Sequence, residues 1–307
     1  MDIFLQQIIN GLVQGSIYAL VALGYTMVYG IMGLINFAHG EVVMIGTLVT
    51  ITVAGSLINA GMPVALAALA GISAAILVCI ALGWGLERIA YRPLRNAPRL
   101  TPLITAIGMS IILQNLAMIV WGRNYMTFPP LLPKINFELA GANFTAVQVM
   151  IVFVSAITMG SLILIVYRTK LGMAMRATAQ NPAVASLMGV NINRVIAAAF
   201  VIGSALAAVA GVMVGSYYEI AHYQMGFMLG LKAFTAAVLG GIGNLAGAMV
   251  GGVLLGLIEA LGAGYIGDLT GGFLGSHYQD IFAFMVLIGV LMFKPSGLFG
   301  EKSGDRA

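Results

Sequence analysis

The chain has 307 residues, 61% of them apolar and only 8% charged, with a formal net charge of +4. A soluble domain carries about 25% charged residues, and no aqueous fold could hide this much apolar surface, so the solvent is lipid. The apolar runs last twenty residues or more, which excludes the roughly ten-residue alternating strands of a transmembrane barrel. The class is an all-α polytopic membrane protein, and the 40 glycines suit helices that meet through small residues, since lipid offers no hydrophobic drive between them.

In chain order the apolar windows centre on 8–30, 41–60, 63–86, 102–121, 147–167, 195–217, 227–241, 246–264 and 279–293. They predict eight membrane segments, or nine if the short window 227–241 spans fully rather than being re-entrant or broken. The head, Met1-Asp2-Ile3-Phe4, lacks the basic start of a cleaved signal peptide, so the first window is expected to stay in the mature protein. Basic residues set the orientation. Arg88, Arg92, Arg95 and Arg99 follow the third window; Arg168, Lys170, Arg176 and Arg194 separate the fifth from the sixth; Lys294, Lys302 and Arg306 follow the last. Those loops are predicted to be cytoplasmic, which puts the N-terminus outside and the C-terminus inside. Gly122 to Ala146, with Arg123, Lys134 and the turn-forming Pro129, Pro130 and Pro133, is then external. Cys79, inside an apolar run, reads as a small core hydrophobe.

Two joins between windows are rich in glycine and echo each other weakly. One runs from Gly30 through Gly33, Asn36 and His39 to Gly40; the other runs from Gly241 through Gly243 and Asn244 to Gly247. Irregular backbone at membrane depth survives only where it is buried in protein or lines a water-filled cavity, so 33–41 and 240–247 are expected to line or gate a path. Glu41, Lys232 and Glu259 stand in or at the edge of apolar windows, where an unpaired charge costs several kcal/mol. Lys232 and Glu259, in neighbouring windows, are expected to pair, either as a structural bridge or as part of a gate. Glu41 begins a helix and reads equally as a partner of the helix dipole and as a functional group; His39 reads as a hydrogen-bonded structural residue. The candidate path or gate is therefore Gly33, Asn36, His39, Gly40, Glu41, Lys232, Gly240, Gly243 and Glu259.

Catalytic chemistry has no foothold in this chain. There is no Gly-Lys pair to cradle a nucleotide phosphate, no His-Glu-x-x-His, and no Cys/His cluster; His39, His222 and His277 are far apart. No enzyme activity, metal, cofactor or nucleic-acid partner is expected, and energy for uphill transport would come from another chain.

The loop 168–194 is punctuated for a short helix. Asn181 suits the N-cap, Pro182 the first helical position, and Gly189 the position just past the end. Such a helix exposes Ala183, Leu187 and Met188, either to lie on lipid or to dock in a partner's groove. The pattern running from Gly172 and Arg176 to Gly189-Val-Asn resembles the coupling loop of ABC importer permeases of the branched-chain amino acid family. Three more stretches carry the same resemblance: Gly24 to Glu41; Glu87 to Arg95 with Gly108, Ser110, Gln114 and Asn115; and Lys232 to Gly243 leading on to Gly247, Gly251, Gly252 and Glu259. With Lys294-Pro295-Ser296-Gly297 the likeness runs end to end and is closest to the LivH type, the shorter of two permease partners.

The resemblance implies one transmembrane permease domain over 1–307. It would work by alternating access beside a second, LivM-like permease, two ABC ATPase subunits and a periplasmic substrate-binding protein, in the inner membrane. It implies leucine, isoleucine and valine as substrates, with urea, amides or aromatic acids as the range of related permeases. An ion-coupled secondary transporter using Glu41 or Glu259 stays open as an alternative. The stretch Asn244-Leu-Ala-Gly247 lacks the Pro that the family pattern has before the Gly, which is expected to leave that break less rigid.

Overall fold

A computed structural model describes residues 2–95, 97–98, 100–133, 135–139, 141–270 and 278–300. Arg99, Lys134, His277, Lys302 and Arg306, invoked above, lie outside the described residues. Every apolar window falls on a helix: α1 (Asp2–Met32), α2 (His39–Asn59), α3 (Val64–Gly85), α4 (Leu100–Trp121), α5 (Ala146–Arg168), and then, past α6 (Lys170–Gln180) and α7 (Pro182–Leu187) in the basic loop, α8 (Ile192–Tyr218), α9 (Met225–Gly240), α10 (Leu245–Leu269) and α11 (Gln279–Phe293). Seven of these are long and apolar enough to cross a membrane; α9 and α11 are shorter. The chain is a polytopic helical membrane protein.

The connections sort onto two faces. On one, β1 (Met126–Thr127), in the loop after α4, pairs antiparallel with β4 (Ile220–Ala221), just after α8. Beside it β2 (Asn136–Leu139) and β3 (Ala142–Thr145) form a hairpin, and Gln6, at the start of α1, exchanges hydrogen bonds of 2.9 Å with the Asn143 backbone. On the opposite face, the end of α1, the starts of α4 and α8 and a π-helical turn (Leu86–Tyr91) share a small buried cluster containing Val28, Tyr91, Ala106, Ile196 and Phe200. Arg95 joins this face together by pairing with Glu87 and donating to Asn193 at 2.6 Å. Burial pushes the Arg95 guanidinium pKa below its ordinary value, and the adjoining Glu87 carboxylate opposes that shift. The segment after α11 returns to this face, where Leu298 and Phe299 donate backbone bonds to Leu239 and Gly240. α9, only 16 residues long, follows β4 and ends at the turn before α10 on the basic face.

α1, α2 and α8 are largely enclosed, while α3, α4 and α5 ring the outside. Exposed Leu77, Ile104, Ile119 and Phe153 on these outer helices suit contact with lipid tails. α1 and α10 pack through paired small residues, with Gly11 and Gly15 facing Gly252, Val253, Gly256 and Leu257. This is the close backbone approach that small-xxx-small spacing permits in lipid.

Candidate functional site

α2 begins halfway through the membrane. His39, its first residue, packs on Gly24 of α1, eight residues and about 12 Å before that helix ends. It also lies against Gly203 of α8, eleven residues and about 16 Å past that helix's start. The chain leaves α1 at Gly33, whose φ of +65° favours glycine, and climbs back through 34–38 to that depth. The climb is fastened at Asn36, whose Oδ1 accepts from the buried Tyr91 hydroxyl at 2.8 Å. His39 is buried between the helices, edge-on to Tyr25 with ring centroids 5.0 Å apart. Gly40, expected to permit the break, lies instead in the first turn of α2. Its role is contact, because a Cβ there would overlap the Gly226 carbonyl and Gly230 of α9.

Glu41 is fully buried at this depth. Its Oε1 accepts from the Ser110 hydroxyl at 2.9 Å and from Gln114 Nε2 at 2.7 Å, both midway along α4. Its Oε2 has no hydrogen-bond partner among the described residues and lies against Gly226 of α9. No described Lys or Arg pairs with it.

A second polar cluster sits between α1, α9, α10 and α11. Lys232 Nζ lies 3.2 Å from Glu259 Oε2 and 2.7 Å from Asp280 Oδ1. Tyr18 donates its hydroxyl proton to Glu259 Oε2 at 2.7 Å. The apolar cavity lined by Tyr18, Tyr125, Tyr218, Met225 and Lys232 measures about 250 Å³. The two glycine-rich joins meet on the basic face, where Gly30 approaches Gly243. Gly240 packs on the Gly247 backbone, and Gly243 has a φ of +96°. Asn244 corrects the expectation of a looser break. Its Oδ1 accepts from the Gly247 N–H and its Nδ2 donates to the Phe299 carbonyl, both at 3.0 Å, so it ties the start of α10 to the last described segment.

The basic loop divides by role. Thr169 caps α6, and Gly172 is buried against the Val166 carbonyl, where no Cβ fits. Arg176 donates to that same carbonyl and lies over the Tyr167 ring, so both residues fasten α6 to α5 rather than face outward. Asn181 Oδ1 accepts from the Val184 N–H at 3.1 Å, Pro182 opens α7, and Gly189 follows with a φ of +83°. α7 then presents Ala183, Val184, Leu187 and Met188 to solvent, the last two 87% and 80% exposed.

Residues 7–291 match the family described as the permease component of branched-chain amino acid transport systems. The chain belongs to that permease family. The permease is 48% identical to the high-affinity branched-chain amino acid transport system permease protein BraD of Pseudomonas aeruginosa, over 99% of this chain and 98% of that one. It is 46% identical to LivH of Escherichia coli strain K12 and to LivH of Salmonella typhimurium strain LT2, over 99% of this chain and 97% of each relative. Sequence reasoning missed three polar partners in the permease. Asp280 was not tied to Lys232, and Ser110 and Gln114 were noticed only as parts of a motif, not as donors to Glu41. A Ser and a Gln four residues apart on an apolar helix share one face, and that spacing was the available signal.

Proposed function

We propose that this chain is the permease subunit of an ABC importer that carries leucine, isoleucine and valine across the inner membrane by alternating access. The observation that carries the reading is the full-length likeness to BraD and LivH, whose names give them as permeases of high-affinity branched-chain amino acid transport systems. A second, LivM-like permease covers the exposed half of the translocation path, and a periplasmic binding protein delivers substrate to the hairpin face. Two ATPase subunits bind the basic face, oriented to the cytoplasm by its arginines and lysines, and hydrolyse ATP on chains other than this one.

α7 supports the assignment of that docking. It is capped at both ends by its own sequence and displays an apolar surface outside the membrane core, as a helix seated in a partner's groove does. Closure of the ATPases pushes α7; α6, riveted to α5 through Arg176 and Gly172, transmits the push. The helices around the α1–α2 and α9–α10 joins then tilt, and Gly33, Asn36, His39, Gly40, Glu41, Lys232, Gly240, Gly243 and Glu259 form the path and its gate.

The test is a pull-down of the tagged chain from solubilised native membranes. Two ATPases and a second permease are expected in stoichiometric amount, with leucine uptake restored by the reconstituted complex. Met188→Asp should release the ATPases while leaving the permease pair intact. A chain that is recovered alone and moves solute along an ion gradient would refute the reading.

A further inference from the structure

Polar groups at half-depth are costly in lipid, yet Ser110 and Gln114 line an open cavity of about 430 Å³ on the outside of this protomer. The rest of the lining is mostly apolar, with Ile107, Ile111, Phe227 and Met228 about half exposed, and Gln224 is a further polar residue in it. That size falls within the range of about 300–1,000 Å³ typical of small-molecule sites. Behind the polar wall stands Glu41, buried, with its Oε2 unpartnered and no cation among the described residues. An uncompensated carboxylate at this depth is expensive, so the site is built to meet a positive group. Gln114 is turned with its amide N–H toward Glu41. Its carbonyl oxygen is therefore the end left to face elsewhere, an acceptor backed by negative charge.

We propose that this cavity is a substrate subsite: Gln114 and Ser110, backed by Glu41, receive the α-ammonium group of a zwitterionic amino acid, and the Ile107, Ile111, Phe227 and Met228 wall takes its branched side chain. The inference rests on the substrate reading above and adds to it the place and polarity of recognition. It also explains why a polar patch lies open on this face: the second permease closes it, and the solute passes between the two. The ammonium group meets acceptors on α4, α2 stands directly behind them, and α9 lines the opposite wall. All three helices that would move in a gating step touch the bound solute or the carboxylate that attracts it.

The test uses the complete transporter, co-purified with its partners and kept free of binding protein. Tritiated leucine is bound and then competed with leucine or with 4-methylpentanoate, which is leucine without its amino group. Leucine should compete at least tenfold better, equivalent to about 1.4 kcal/mol. Gln114→Leu and Glu41→Gln should erase the preference while the complex still assembles. If Glu41→Gln fails to assemble, Gln114→Leu, which leaves the Glu41 carboxylate its bond from Ser110, carries the test alone. Equal competition in the wild type, an undiminished preference in the variants, or no binding by a complex that takes up leucine would overturn the inference alone. Failure of the wild-type complex to take up leucine would overturn the substrate reading and this inference with it.

Discussion

Lys232 stands between two carboxylates in a cluster among apolar helices, and replacing it by Met should be the most damaging single change in that cluster. The side chains are of similar length, so packing is nearly conserved while the charge is lost. Glu259, 1% exposed, and Asp280, 32% exposed, would both lose their cation, and Glu259 would be left with the Tyr18 hydroxyl. Removing one member of a buried pair costs about 3–5 kcal/mol, because the remaining charge stays buried and uncompensated. Glu259 should contribute most of that, since it is far more deeply buried than Asp280. Glu259→Gln is a milder change: it keeps the shape and the acceptor for Tyr18 and leaves Lys232 bonded to Asp280, so about 1–2 kcal/mol is expected. The double variant removes both Lys232 and the Glu259 charge and should recover much of what Lys232→Met loses. Apparent melting temperatures of the detergent-purified complex, read by size-exclusion fluorescence, rank the three. The reasoning fails if Lys232→Met melts no lower than Glu259→Gln, or if the double variant loses the sum of the two single changes.

Cys79 is buried and is the chain's only cysteine, so introduced cysteines can be labelled without background. Glu138→Cys on the β2–β3 hairpin should react with an impermeant maleimide from the periplasmic side and Met188→Cys only after the membrane is opened; the reverse would invert the proposed orientation. Asn181→Ala removes the cap of α7 at a cost of about 1 kcal/mol to that helix, and ATP-driven uptake should fall severalfold with the melting temperature unchanged. Uptake at the wild-type level would separate α7 from coupling. Gly256→Ala puts a Cβ into the backbone of Gly15, so α1 and α10 must move apart. Overpacking of this kind costs about 1–3 kcal/mol, read as a lower melting temperature of the assembled complex, and an unchanged value would mean the two helices pack less tightly than described.

Much of the architecture was legible because composition and turn chemistry are local. Each of the nine windows falls on a helix among the described residues, since an apolar run of this length has no stable choice in lipid except to satisfy its backbone within a helix. Asn181, Pro182 and Gly189 marked α7 to the residue, because a cap, a fixed φ and a left-handed position each demand a residue type. The strand pairs after α4 were not foreseen. Met126 and Thr127 make a strand only because Ala221 and Ile220 lie beside them, nearly a hundred residues away in sequence, and nothing local announces that.

The site was harder to read than the fold, for a reason peculiar to lipid. In water an amphipathic stripe tells which side of a helix faces the core; here the long helices are apolar all round, and their rotation leaves no such trace. Only the rare polar residue marks a side. Glu41, Lys232 and Glu259 were visible for that reason, and Lys232 with Glu259 could be paired from proximity in the chain. Glu41 could not be placed, because its partners stand about seventy residues on, in a helix that is otherwise almost wholly apolar. Once Ser110 and Gln114 are seen to turn toward Glu41, the rotation of α4 and the depth at which α2 begins follow together. A carboxylate can be reached from the middle of α4 only if α2 starts there, so the glycine-rich join must climb back into the membrane rather than end at its surface.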